Sequence, residues 1–413
     1  MNALGERIRA LRKEKKLTLA DVAGDKLTKG MLSLIENGKA QPSIESLHHI
    51  ASQLQVDPSV LIGSQNIDNL RNLLNKVEEL WEKRSDIKNV KMVQQLISPL
   101  IQQLPDTYEG ARLLDLYGRS FYFTDHTADG LYLNKAKSMY DKMNSHNELV
   151  KIYIFLALVQ FEKNNYETTL QIILDVKKEA KKSNWQLHTI TGFELNYYET
   201  MLYYAVGKYE VASKKLKEAL DLTRETGIFY LNSELYKLAC IEALMSGNDD
   251  NRIYYLNKMR QYAEFAEDEV SFDFIKFLNI HYLSTYTHEY EKALLLLEES
   301  FFSSQQEGLE QGLFDNFIRL EKGVILYGLK RYSESLAELS QFSVPSYLHH
   351  PLDLALFYRV YTYRALCYVE LGDLQKAKEE ISIGVDYMES LPPTPYKTFM
   401  LEVYERITNE KLK

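Results

Sequence analysis

Five times between Asn165 and Ala377 the chain repeats one short element: a turn, then an aromatic or leucine, then usually a small residue three places on. The copies are Asn165-Tyr166-Glu167, Gly207-Lys208-Tyr209-x-x-Ala212, Glu289-Tyr290-x-x-Ala293-Leu294, Lys330-Arg331-Tyr332-x-x-Ser335-Leu336 and Gly372-Asp373-Leu374-x-x-Ala377. Tyr166 to Tyr209 is 43 residues, Tyr209 to Tyr290 is 81, and the last two steps are 42 each, so the period is near 40 with one copy hidden. That copy belongs at Gly247-Asn248-Asp249-Asp250, where the turn survives without its tyrosine. A fixed period of this size commits the body to an all-α array of helical pairs, each burying its apolar stripe against the next. About eight pairs are expected, starting near residues 68, 106, 147, 185, 228, 269, 310 and 352. A closing helix over Tyr396 to Thr408 is set off by Pro392-Pro393 and Pro395.

The first 63 residues have a different grammar. Residues 3–14 predict a helix with Leu4, Ile8 and Leu11 on one face and a basic cluster of Arg7, Arg9, Arg12, Lys13, Lys15 and Lys16. Thr18 with Asp21 is a capping-box-like start, and Leu17 and Val22 stand where a hydrophobic staple closes over it. The same pattern follows at once: Thr28 caps a second short helix, Leu27 and Leu32 make the staple, and Asn37-Gly38 ends it. Ser43 to Leu54 predicts a fourth helix, and Asp57-Pro58 opens a fifth. Two short helices joined by a turn near Gly24 make a helix-turn-helix, whose second helix enters the DNA major groove. His48 and His49 point about 100° apart on their helix, which makes them poor joint metal ligands.

This segment resembles the Xre/Cro-type helix-turn-helix of phage repressors. The resemblance is carried by Ile8-Arg9, Leu11-Arg12, Leu19 to Ala23, Ile35-Glu36-Asn37-Gly38-Lys39 and Pro42-Ser43. It implies a recognition helix starting at Thr28, with Thr28, Lys29, Gly30, Met31, Ser33 and Leu34 facing double-stranded DNA and Asn37 and Lys39 approaching phosphates. Gly30 and Leu34 depart from the polar readers common in that family, which shifts readout onto Lys29, Thr28 and Ser33. In that family the equivalent of Arg12 pairs with the equivalent of Glu36, so Arg12 is expected to be structural.

The body resembles the tetratricopeptide repeat, stretched beyond its usual period of about 34 residues; the longer spacing also leaves an armadillo-like α solenoid open. A repeat array presents a groove lined by the first helix of each pair, suited to an extended peptide. Asparagine, which both donates and accepts, is a compact way to hold a peptide backbone. Asn196, Asn232, Asn279 and Asn316 recur on successive first helices. At 100° per residue, Asn196 and Asn316 stand at similar angles relative to their turn tyrosines, whereas Asn279 does not. Arg319 shares the register of Asn196 and is a candidate for a carboxylate, with Arg119 a similar candidate earlier in the chain. Tyr197 and Tyr230 are candidates for peptide side chains. An Xre-type head on such a body resembles the RRNPP family of peptide-pheromone receptors. That resemblance implies a cytoplasmic quorum-sensing transcription regulator, a homodimer or homotetramer gated by a short signalling peptide; some relatives instead bind a response-regulator protein.

Charge supports the division. Up to Gln65 there are nine Lys/Arg against seven Asp/Glu, a net of +2, while the remainder carries −11 of the overall −9. A weakly basic head on an acidic body fits a DNA reader carried by a part that does not itself bind DNA. The expected domains are 1–63 for the helix-turn-helix, 64–67 for a linker and 68–413 for the repeats. Cys240 and Cys367 match no metal or redox spacing, which fits a reducing compartment, and no cofactor is expected. The N-terminus has no signal-peptide pattern, and no run approaches 18 uncharged apolar residues, so no membrane span is expected. No GxSxG, phosphate-binding glycine loop or HExxH is present, so an enzyme is not expected; pairs such as Glu298-Glu299 and Glu379-Glu380 read as solvated faces. A scaffold for a protein partner and a phage lysogeny regulator are the alternatives, built from the same parts.

Overall fold

The computed structural model describes residues 3–56, 58, 61, 64–125, 130–302 and 311–409. The chain is all-helical, with no strand among the described residues. Its contacts divide it into two compact units, 1–152 and 153–413.

The first unit opens with α1 (Ala3–Glu14), α2 (Leu19–Ala23), α3 (Lys29–Glu36) and α4 (Ile44–Gln53). The predicted capping box forms: the Thr18 side chain accepts from the Asp21 amide while the Asp21 carboxylate accepts from the Thr18 amide at 2.7 Å. Ile8, Val22, Leu32, Ile35, Ile50, Ala51, Leu54 and Leu61 make the core, with Leu17 and Leu27 packed against it. Gly38, at φ +72°, turns the chain out of α3. Gly24 has a positive φ of +56°, and a Cβ there would meet His49 Nε2 at 2.8 Å. The buried His49 needs that approach, because its Nε2 lies 2.8 Å from the carbonyl of Ala23. His48 is exposed, so the adjacent histidines have separate surroundings. Asp57, the expected cap of a fifth helix, lies outside the described residues.

Residues 64–67, expected as a linker, form the first turn of α5 (Ser64–Glu82). Then come α6 (Ile87–Ile97), a 3₁₀ stretch (Ser98–Gln103), α7 (Tyr108–Asp125), α8 (Gly130–Lys142) and α9 (His146–Glu162), inside which the division between units falls.

Through the second unit helices come in pairs: α10 (Tyr166–Lys182) completes the pair begun by α9, followed by α11 (Thr189–Ala205) with α12 (Tyr209–Thr226), and α13 (Asn232–Ser246) with α14 (Asp249–Ala266). The series continues with α15 (Glu269–Thr285) and α16 (Tyr290–Phe302), α17 (Gln311–Gly328) and α18 (Tyr332–Ser340), and α19 (Pro351–Glu370) and α20 (Leu374–Met388), closed by α21 (Pro395–Thr408). The repeated element has a conformational cause. Asn164, Gly207, Gly247, His288, Lys330 and Gly372 all have φ between +54° and +85°, each two residues before its second helix begins. A left-handed residue ends the first helix and reverses the chain. The hidden copy at Gly247 therefore keeps the turn that defines the repeat.

The small residue three places on is the contact point between paired helices. Thr169, Ala212, Ala293, Ser335 and Ala377 are fully buried. Ser335 Oγ donates to the Gly323 carbonyl at 2.7 Å, and a Cβ on Gly323 would strike Leu339 at 2.3 Å. In the hidden copy this position is Arg252, whose guanidinium lies 3.5 Å over the Tyr282 ring and bonds Asp249 at 2.6 Å. A cation–π contact there replaces the small-residue packing.

Two of the repeat tyrosines also bond far along the chain. Tyr166 donates to the His349 carbonyl at 2.8 Å and Tyr209 to the Pro393 carbonyl at 2.6 Å, while His350 Nε2 lies 3.2 Å from the Met201 carbonyl. The first repeats of this unit are thereby bonded to its last ones. Burial pushes both tyrosine hydroxyls up to about 12, so they remain donors across the neutral range.

Candidate nucleic-acid interface and ligand-binding residues

The head exposes the face that the sequence singles out. Thr28 accepts from the Met31 amide at 3.1 Å and so fixes the start of α3. Leu32, Ile35 and Glu36 turn inward, while Thr28, Lys29, Gly30, Met31, Leu34, Asn37 and Lys39 are exposed and Ser33 is half-buried. Met31 and Leu34 expose 45% and 44% of their surface, apolar area that α3 would bury only against a partner. A Cβ at Gly30 would find nothing closer than 3.9 Å, so the glycine leaves a gap at the outer surface. Asn37 is partly committed: its Nδ2 donates to the Ser33 carbonyl at 2.8 Å, which seals the end of the helix.

Not all of the basic cluster faces outward. Arg12 makes a two-pronged bond to Glu36, Nε to Oε1 at 2.6 Å and Nη2 to Oε2 at 2.8 Å, and its Nη1 donates to the Leu17 carbonyl. Arg7 donates to the Leu61 carbonyl at 2.9 Å. These two arginines brace the head, which leaves Arg9, Lys13, Lys15 and Lys16 as the exposed basic residues of this cluster. Residues 8–61 match the family HTH_3, helix-turn-helix. The head is a helix-turn-helix domain.

No curated protein matches the chain. Among solved structures it is similar to PlcR of Bacillus thuringiensis in complex with the peptide PapR7 and DNA, at 14% identity over 67% of this chain and 99% of that one, with a TM-score of 0.39. It is also similar to ComR of S. thermophilus with DNA and its signalling peptide ComS, at 16% identity over 66% and 97% of the two chains and a TM-score of 0.32. Yeast Tom70 aligns over more of the chain, 97% against 91% of its own length, at 13% identity and a TM-score of 0.36. Superpositions this loose assign no activity to the repeats.

The ligand candidates are spread through the helices. Arg119 lies on α7 of the first unit and bonds the buried Asp115, which Arg112 also holds at 2.9 Å. The other seven lie in the second unit. Asn196 accepts from Lys177 Nζ at 2.6 Å, beside the buried Glu199, which Lys177 and Lys215 both pair. Arg319 Nη1 donates to Gln341 Oε1 at 2.9 Å and lies 3.5 Å from Glu338. Both are engaged within the repeats, Asn196 by a lysine of the preceding pair's second helix and Arg319 by Glu338 of its own pair's second helix and by Gln341 just beyond it. Asn232 is buried at 1% exposure, with Nδ2 bonded to Tyr236 at 3.4 Å and Oδ1 without a partner. Asn279 and Asn316 are half-buried on α15 and α17. Tyr230 is exposed and donates to Glu194 at 3.1 Å. Tyr197 is half-buried, its ring 5.4 Å from that of Tyr198, and burial raises its hydroxyl well above the usual value.

A buried polar cluster went unread in the sequence. Glu321 on α17, Arg359 on α19 and His281 on α15 are each 1% exposed. Arg359 Nη2 bonds Glu321 Oε1, His281 Nδ1 lies 2.9 Å from the same oxygen, and Ser284 donates to Oε2 at 2.6 Å. Tyr396 of α21 completes the set, its hydroxyl 2.7 Å from His281 Nε2 and its ring 5.0 Å under the Arg359 guanidinium. Burial alone would raise the Glu321 carboxyl, but the Arg359 charge and the bonds from His281 and Ser284 outweigh it and hold the group far below the usual carboxylate range. Burial likewise keeps His281 below the usual imidazole value. Among the described residues no group of His, Cys, Asp and Glu could hold a metal ion, and no helix is long and apolar enough to cross a membrane.

Proposed function

We propose that this chain is a DNA-binding transcription regulator of the RRNPP kind, gated by a short signalling peptide that its repeats bind. The observation that supports it most is the outward face of α3, where Lys29, Met31 and Leu34 stand exposed beside the Thr28 cap while Leu32, Ile35 and Glu36 are locked into the head. A recognition helix reads base edges with its N-terminal residues, and the exposed lysine supplies the charge that draws it to phosphate. The repeat body is the natural ligand-bearing part, because stacked helical pairs change curvature through small additive rotations. In an oligomer, the spacing of two heads must match half-sites roughly 34–36 Å apart, so a change in curvature switches DNA binding. We place this activity in the cytoplasm, with a homodimer or homotetramer as the working assembly.

Lys29→Ala should weaken DNA binding by roughly 5- to 150-fold, the effect of losing about 1–3 kcal/mol of contact, with peptide affinity unchanged. Asn316→Ala should lower peptide affinity and spare DNA binding. The gating itself is tested by thermal unfolding of the full chain against the small-peptide fraction of spent culture medium, then against synthetic peptides identified in it. A peptide at a hundred times its Kd stabilises the folded state by about 2.7 kcal/mol, a readily measured rise in Tm. Absence of a rise with every fraction would remove peptide gating and favour control by a protein partner.

A further inference from the structure

Beside the bond from Tyr209 to Pro393, one of those joining early and late repeats of the second unit, lies a cavity of about 670 Å³. Its walls come from two distant stretches: Tyr204, Tyr209, Glu210 and Glu242 on one side, Pro393 and Pro395 on the other. Tyr209 spans the two by donating to the Pro393 carbonyl, and the rings of Tyr204 and Tyr209 stand 6.3 Å apart. Glu242 is held by the buried Tyr204, whose hydroxyl donates to Oε2 at 2.8 Å. Neither Glu210 nor Glu242 has a cationic partner among the described residues. The neighbouring lysines are committed elsewhere: Lys208 pairs Glu167 at 3.6 Å, and Lys397 donates to the carbonyls of Glu389 and Leu391.

Two carboxylates without a cation, in a recess walled by tyrosine and proline, have a definite chemical complement. A planar guanidinium can stack on an aromatic face and bond a carboxylate along its edge, whereas a lysine ammonium offers only a point charge. We infer that this cavity takes an arginine side chain of the gating peptide, outside the asparagine register described above. The inference rests on the peptide-receptor reading and adds a chemical requirement to it. A ligand seated there touches both the early repeats and the segment leading into α21, so its binding energy bears on the bonds that join them.

The probe is N-acetyl-arginine amide, titrated into the full-length protein by saturation-transfer NMR, with N-acetyl-citrulline amide as the uncharged analogue of the same shape. The arginine compound should bind, and the citrulline compound should bind at least tenfold more weakly. Glu210→Gln and Glu242→Gln should each weaken the arginine compound about tenfold without moving Tm; Glu210 is exposed, and a glutamine at 242 still accepts from Tyr204. Equal binding of the two compounds, or full binding to both variants, overturns the assignment. A gating peptide that binds the double variant with unchanged Kd overturns the cavity while leaving the receptor reading intact. Arginine-compound binding that the variants abolish, with no active peptide in any fraction, supports the cavity and removes the receptor reading.

Discussion

Arg359→Leu should lower the stability of the second unit by about 3–5 kcal/mol, the usual cost of stripping one partner from a buried ion pair. The loss is not that of a contact alone. Glu321 would be left charged at 1% exposure with His281 and Ser284, among the described residues, to solvate it. The double replacement Glu321→Leu with Arg359→Leu should recover much of the loss, because no orphan charge remains. Denaturant unfolding of the single and double variants measures this, and a double variant no better than the single one would show that packing rather than charge sets the penalty. The same cluster fixes a pH dependence. Both His281 and Glu321 have native values below their unfolded ones. The unfolded chain therefore binds protons that the native state refuses, and stability falls as pH falls. It should be complete above about pH 6.5, decline first as unfolded histidine charges, and decline again below about pH 4.3 as unfolded glutamate protonates. His281→Gln should shrink the upper stage, to which His350, also held below the usual imidazole value by burial, contributes the rest, and leave the lower one.

Arg12→Met should abolish DNA binding although Arg12 has no place on the reading face. Glu36 is 5% exposed and among the described residues meets its charge in Arg12 alone, so the substitution strands a carboxylate in a small core at a cost of about 3–5 kcal/mol. A head of some sixty residues has little stability in reserve and should unfold. Circular dichroism or amide NMR of the variant separates this from Lys29→Ala, which should lose DNA binding with a folded head. A folded Arg12→Met head that fails to bind DNA would place Arg12 at the phosphates instead.

The parts of this fold that were legible in the sequence are those specified by neighbours along the chain. Thr18 with Asp21, the Thr28 cap and the left-handed turns at Gly207, Gly247 and Gly372 depend on residues a few places apart. Arg12 with Glu36 was legible through its family resemblance. The cluster of His281, Glu321 and Arg359 was not, because the three stand 9, 11 and 15 residues before Tyr290, Tyr332 and Leu374, so that Glu321 and Arg359 lie about 40° apart on their helices while His281 is more than about 100° from both. A search for residues at one angle on successive helices passes over such a set. The engagement of Asn196 by Lys177 was equally hidden, since the lysine comes from the preceding helical pair. Tyr166 and Tyr209 announced the repeat, but their distant partners are backbone carbonyls, which carry no side-chain signature.

Those long-range tyrosine bonds alter how the second unit should come apart. An ordinary helical array is nearly one-dimensional, and its terminal repeats can fray while the middle stays folded. Here the residues bonded across the unit are 183 and 184 positions apart, so neither end can loosen without releasing the other. Unfolding then becomes a single concerted event rather than a progressive unravelling, and refolding must first bring together two stretches far apart in the chain, which slows it. Truncating the chain before Pro392 removes the Tyr209 partner together with α21, and should therefore sensitise the repeats around Tyr209 to proteolysis as well as those beside the cut.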